Sequence, residues 1–182
     1  MGASKVLLTK KQIQSRVREL GQSITYDYAG HELVVVGILT GSFIFLADLV
    51  RTIDVPVVID FMSLSSYGAL TESSGEVRIL KDLEMPVEGK NVLVVEDIVD
   101  TGLTLTYVVE VLKKRRPQSL KVCVLLDKPS RRKTAFVPDY CGFVIPDEFV
   151  VGYGLDYAGK YRNLPDIRIL ELKKAKGQGG DE

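Results

Sequence analysis

The segment Leu33 to Leu39, LVVVGIL, carries no polar side chain. Seven residues are too few for a buried helix, and the branched side chains favour a pleated backbone. A strand with no polar face must be covered on both sides, which is the condition of a parallel strand inside an α/β sheet. Related runs recur at Val57 to Leu64, Val92 to Val95 and Leu120 to Leu126, with a short one at Phe149 to Val151. Between them the spacing turns helical. Ile13, Val17, Leu20 and Ile24 predict a helix over Thr9 to Tyr26 with Thr9 as its N-cap. Phe43 to Ile53 predicts a second helix. Thr104 to Arg116 predicts a third, with Leu105, Val108, Val109 and Leu112 on one face. Ser65 to Gly75 reads as a loop and Val77 to Leu83 as an extended arm. Parallel strands need crossover helices, so this alternation predicts a Rossmann-like, doubly wound parallel sheet. Ligands of such sheets bind beyond the carboxyl ends of the strands.

Composition narrows the chemistry. Lys and Arg number 24 against 24 Asp and Glu, a net charge of zero, which excludes a uniformly basic surface for nucleic acid. The single histidine, His31, excludes HExxH and any zinc site with two histidines. Cys123 and Cys141 form no CxxC pair and read as free thiols of a reducing, cytoplasmic setting. No apolar run approaches the ~20 residues of a membrane span. Met1 to Lys11 has no signal-peptide core. One domain is expected over 1–172, with a tail at 173–182 (KKAKGQGGDE) that has no apolar anchor.

The most informative segment is Val92 to Thr106, VLVVEDIVDTGLTLT. A buried strand runs into Glu96 and Asp97. Ile98 and Val99 follow, then Asp100, Thr101, Gly102, Leu103 and Thr104 at the start of a helix. Backbone N–H groups at a helix N-terminus attract an anion, and Gly102 allows close approach. Carboxylates just upstream suit sugar hydroxyls or a divalent cation, so a phosphorylated ribose meets both demands. GxxxxGK[ST] and GxGxxG are absent.

This segment resembles the phosphoribosyl-diphosphate motif of type I phosphoribosyltransferases, in the form carried by the bacterial hypoxanthine and hypoxanthine-guanine branch. Leu39-Thr40-Gly41-Ser42 resembles that family's diphosphate loop. Ser65-Ser66-Tyr67-Gly68 resembles its lid, and Leu125-Leu126-Asp127-Lys128-Pro129 its purine-reading segment. Ile145 to Tyr153, Leu155-Asp156-Tyr157 and Tyr161-Arg162 resemble its C-terminal hood. The resemblance covers Thr9 to about Leu172. It implies a core of about 30–145, with a hood from about 1–25 and 146–172.

The resemblance also implies roles. Asp100 is the expected acid/base. Residues 96–104 hold the ribose and its 5-phosphate. Thr40, Gly41, Ser65, Tyr67 and Arg162 hold diphosphate. Lys128, Phe149, Val150 and Asp156 meet the purine. Glu96 and Asp97 face Mg²⁺, a cation that takes oxygen ligands and bridges substrate phosphates, and Asp156 is the expected carboxylate of a second metal site. The implied substrates are phosphoribosyl diphosphate and a 6-oxopurine, with no nucleic acid or membrane partner and a homodimer or homotetramer as the assembly. A xanthine- or guanine-preferring enzyme and a non-catalytic nucleotide-binding regulator stay open on the residues alone. The family often has a cation where Thr40 stands, so the diphosphate loop here would rely on backbone N–H groups. Arg131-Arg132-Lys133 reads as a solvated loop, with a subunit or phosphate contact as the alternative.

Overall fold

A computed structural model describes residues 4–66 and 77–171. The expected lid residue Tyr67 and the 173–182 tail lie outside the described residues.

The described chain runs β1 (Ser4–Leu8), α1 (Lys10–Asp27), β2 (Leu33–Leu39), α2 (Phe43–Val50), β3 (Val57–Ser66), β4 (Val77–Lys81), β5 (Asn91–Val99), α3 (Leu103–Lys113), β6 (Ser119–Asp127), β7 (Tyr140–Val144), β8 (Val150–Val151) and β9 (Ile167–Leu170). The large sheet has the order β4-β3-β2-β5-β6-β7. All its pairings are parallel except β3 with β4. A small antiparallel sheet has the order β1-β9-β8.

The apolar runs are continuous because both sheet faces are buried. Val35, Leu93, Val95, Cys123 and Leu125 pack on one face with Ile13, Val17, Leu20 and Ile24 of α1 and Phe45, Leu46 and Leu49 of α2. Val34, Val36, Val92, Val94, Val122 and Val124 pack on the other with Leu105, Val108 and Leu112 of α3. Successive strand residues point to opposite faces, so each run feeds both layers. Cys123 and Cys141 are free and sit on opposite faces of the sheet.

Several boundaries move. The α1 helix carries a capping box: Thr9 Oγ1 accepts from Gln12 N–H (3.3 Å) while Gln12 Oε1 accepts from Thr9 N–H (2.9 Å). Strand β5 continues through Glu96 and Asp97 to Val99, because β6 pairs with it as far as Asp127. Ser65, expected in a loop, pairs with Arg78 at the end of β3. Strands β1, β7 and β9 are only four or five residues long, too short to stand out in the sequence, and their partners are distant in the chain. Of the described residues 4–25, only 4–8 enter the small sheet, whereas α1 packs against the large one.

Strand order reverses between β2 and β5: the chain leaves β2 toward β3 and leaves β5 toward β6. The crevice at such a switch point is where a doubly wound sheet binds its ligand.

Candidate active site

The loops after β2 and β5 meet at that crevice. A Cβ on Gly41 would lie 1.8 Å from Asp97 Oδ2, so only glycine lets the loop close against this carboxylate. On the hood side, a Cβ on Gly154 would lie 2.1 Å from the Gly41 carbonyl oxygen. The backbone at 41 is thus packed between β5 and the turn that precedes Asp156. Thr40 is exposed and its peptide bond with Leu39 is cis.

Beyond β5 the chain turns at Gly102, whose φ of 83° is left-handed, and enters α3. Glycine is needed there twice, because a Cβ would also lie 2.4 Å from Thr134 Oγ1. The turn encloses a cavity of about 180 Å³ lined by residues 96–102, Thr104 and Leu105. Leu103, expected to contribute its backbone alone, is 39% exposed at the first turn of α3, while Leu105 lines the cavity. Residue 103 faces outward because the helix starts there, and its N–H reaches Thr101 Oγ1 at 3.4 Å.

Glu96 and Asp97 are 8% and 9% exposed. Burial, then the neighbouring Asp97 charge, pushes the Glu96 carboxyl well above the usual carboxylate range. Burial also raises Asp97, opposed by its hydrogen bonds with Glu96 and Ile98 and by the charge of Arg162. Two desolvated carboxylates side by side are short of positive charge. Their donor set is all oxygen, which fits Mg²⁺. Asp156 stands apart from them: it pairs with Arg162 (2.8 Å) and accepts from Gly159 N–H (2.7 Å). Among the described residues no three His, Cys, Asp or Glu side chains converge as a metal cage. An ion beside Glu96 and Asp97, or a second one beside Asp156, would take most of its ligands from substrate and water. Arg162 also donates to the Gly154 carbonyl at 2.6 Å, which ties it to the turn against Gly41.

Beside the small cavity lies a cleft of about 510 Å³, whose lining includes Asp100, Lys128, Phe149, Val150 and Asp156. Val99 and Asp127 are register partners at the ends of β5 and β6, so Asp100 and Lys128 leave the sheet side by side. Lys128 N–H donates to Val99 C=O at 3.0 Å. Lys128 is 6% exposed, not a solvated lysine, and its ammonium has no ion pair or hydrogen bond among the described residues. Phe149 is 41% exposed, not a core residue, and Tyr157 braces it edge-on at 5.5 Å. Val150 is buried in the small sheet.

The basic run after Lys128 is not merely solvated. Arg131 Nε donates to Asp100 Oδ1 at 2.7 Å. Arg132 donates to the Asp100 carbonyl at 3.0 Å and pairs with Asp127. Lys133 N–H donates to Thr101 C=O at 2.9 Å. Arg131 and Asp147 both line the larger cleft. Charge spacing alone hides this; the one signal is that the run begins three residues after a lysine at a strand end.

A phosphoribosyl transferase domain model matches residues 4–158, and the chain belongs to the phosphoribosyltransferase family. Within the family its similarity runs to the hypoxanthine branch. It is 51% identical to the hypoxanthine-guanine phosphoribosyltransferase of Bacillus subtilis over 92% of this chain and 93% of that protein. It is 53% identical over 92% of its length to the bifunctional protein TilS/HprT of Listeria innocua, of which it spans about a quarter (26%). A crystal structure of a hypoxanthine-guanine phosphoribosyltransferase from Bacillus anthracis superposes with a TM-score of 0.88 at 51% identity, covering 92% of this chain and 98% of that one. No helix among the described residues is long and apolar enough to cross a membrane.

Proposed function

We propose that the chain transfers the 5-phosphoribosyl group of phosphoribosyl diphosphate to hypoxanthine, and to guanine, giving IMP or GMP and diphosphate in purine salvage. The observation that carries this reading is the pairing of a small cavity at the start of α3 with a cleft into which a buried lysine, unpaired among the described residues, and a carboxylate emerge from adjacent strand ends.

The 5-phosphate sits in the 180 Å³ cavity, held by the N–H groups of 100–104 and the hydroxyls of Thr101 and Thr104. Glu96 and Asp97 face the ribose hydroxyls. The diphosphate lies against the Thr40–Gly41 backbone, with Ser65, Tyr67 and the Arg162 guanidinium completing its site. The purine fills the larger cleft, stacked on Phe149, with its edge on backbone groups of Val150 and Asp156. Lys128 donates to the 6-oxo group. Adenine presents an amino donor there, leaving a buried ammonium unpaired, which costs roughly 1–3 kcal/mol or more. The C1–diphosphate bond breaks, the purine nitrogen bonds to C1, and the purine proton passes to Asp100. Such general acid–base help is worth about 10²–10⁴-fold. Magnesium, held by Glu96, Asp97 or Asp156 together with donor oxygens, would neutralise charge on the leaving diphosphate.

The setting we propose is the cytoplasm. The assembly is a homodimer or homotetramer, to which Phe43, 41% exposed at the start of the apolar helix α2, lends support.

Initial rates with hypoxanthine, guanine, xanthine and adenine, each with phosphoribosyl diphosphate and Mg²⁺, test the reading. Hypoxanthine and guanine are expected to turn over. Absence of turnover with every purine overturns the enzyme reading, and preferred turnover of adenine overturns the role of Lys128.

A further inference from the structure

Arg131 occupies an unusual place for a half-exposed arginine. It ends the short 3₁₀ turn Pro129–Arg131, and its N–H donates to Lys128 C=O at 3.1 Å. The next two residues are fastened to the β5–α3 loop, Arg132 through the Asp100 carbonyl and Lys133 through Thr101 C=O. The backbone that carries Arg131 is therefore tied to the backbone that carries Asp100. From this base the guanidinium spans two carboxylates. Its Nε donates to Asp100 Oδ1 at 2.7 Å and its Nη1 to Asp147 Oδ1 at 3.5 Å. All three side chains line the larger cleft. Among the described residues Asp100 Oδ2 makes no hydrogen bond, so one oxygen is held and the other is presented. Asp147 lies two residues before Phe149, which faces the same cleft.

We infer that Arg131 is a positioning residue for Asp100: it fixes one carboxylate oxygen so that the other meets the purine proton, and through Asp147 it ties that aim to the segment bearing Phe149. The inference rests on Asp100 being the acid/base. A base oriented by a third group is a general arrangement in proton-transfer sites. An exposed ion pair contributes little in water. Here a bound purine would fill the cleft and exclude water, and the same pair gains strength as the local dielectric falls. The fork of the guanidinium suits the task, because Nε and Nη1 reach two carboxylates at once while an ammonium is a single point charge.

The experiment is steady-state kinetics on the full chain with hypoxanthine, phosphoribosyl diphosphate and Mg²⁺, for Arg131→Met, Arg131→Lys, Asp100→Asn and the Arg131→Met/Asp100→Asn double variant. A charge-assisted hydrogen bond, discounted for exposure, gives Arg131→Met a fall in kcat of about tenfold. The donor KM is expected to stay within about twofold. Arg131→Lys recovers part of the loss. In the Asp100→Asn background, removal of Arg131 changes kcat by less than about twofold, because the group it aims is already gone. If kcat survives in Arg131→Met while Asp100→Asn is crippled, the inference is overturned and the role of Asp100 stands. An equal Arg131→Met effect in both backgrounds also overturns it, since the arginine then acts through something else. A fully active Asp100→Asn removes the acid/base reading and this inference with it.

Discussion

Replacing Gly41 with alanine adds one methyl group at the point where the two phosphate-side loops touch. The new Cβ would stand 1.8 Å from Asp97 Oδ2, 2.6 Å from Cγ and 3.2 Å from Oδ1. Non-bonded heavy atoms settle at about 3.5 Å, so the pair must separate by roughly 1.7 Å. Asp97 is buried on β5, a strand with β2 on one side and β6 on the other. Gly41 has its carbonyl against Gly154. Neither partner has free space, and relief must displace the Thr40–Gly41 loop, the Asp97 carboxylate, or both. A misplacement of about 1 Å can cost on the order of 10²-fold in rate. We therefore expect kcat/KM for phosphoribosyl diphosphate to fall about 100-fold. Overpacking should cost about 1–3 kcal/mol, a loss of several degrees in Tm at ~2–4 °C per kcal/mol. Gly89→Ala is the control. Gly89 has a φ of 70° with nothing near its Cβ position, so it should lose stability from backbone strain and keep its turnover. Initial-rate kinetics at saturating Mg²⁺ and thermal melts of both variants separate the two effects. A Gly41→Ala variant within threefold of the parent in kcat/KM would refute the reasoning.

Lys128→Met keeps the stem and removes the ammonium; the hypoxanthine KM should rise about 10-fold or more while the donor KM holds, and equal change in both KM values argues against a purine contact. Asp100→Asn should lower kcat by about 10²–10⁴-fold with modest change in donor binding; single-turnover rates check it, and an unchanged rate removes Asp100 from proton transfer. Excess chelator should abolish turnover and added Mg²⁺ restore it; appreciable turnover in chelator contradicts the carboxylate–metal assignment. Hydrogen bonds from Lys121 (2.7 Å) and Tyr140 (2.6 Å) hold the Asp27 carboxyl below the usual range. Its folded value lies below the unfolded one, so its stabilisation is present above about pH 4 and lost as pH falls through the folded value. The Tm gap between parent and Asp27→Asn should close on acidification, and a gap that does not change with pH would contradict the link.

The sequence by itself determined the parallel sheet and marked which residues stand at its strand ends. Runs such as Leu33–Leu39 and Val92–Val95 admit only a strand covered on both faces, and the structure covers them with α1 and α2 on one side and α3 on the other. The turn from Glu96 to Thr104 was legible because its carboxylates, glycine and hydroxyls are consecutive. Contacts between distant segments were not legible, because no local period records them. The packing of Gly41 on Asp97 depends on β2 and β5 being sheet neighbours. Lys128 is buried only because β6 ends level with β5, whereas in sequence it reads like any lysine after a strand. The pairing of Asp156 with Arg162 likewise follows from how the 150–162 turn folds back. Arg131 is the clearest case. Its carboxylate partner Asp100 is 31 residues away, and a basic run looks solvated until the chain brings an acid to meet it.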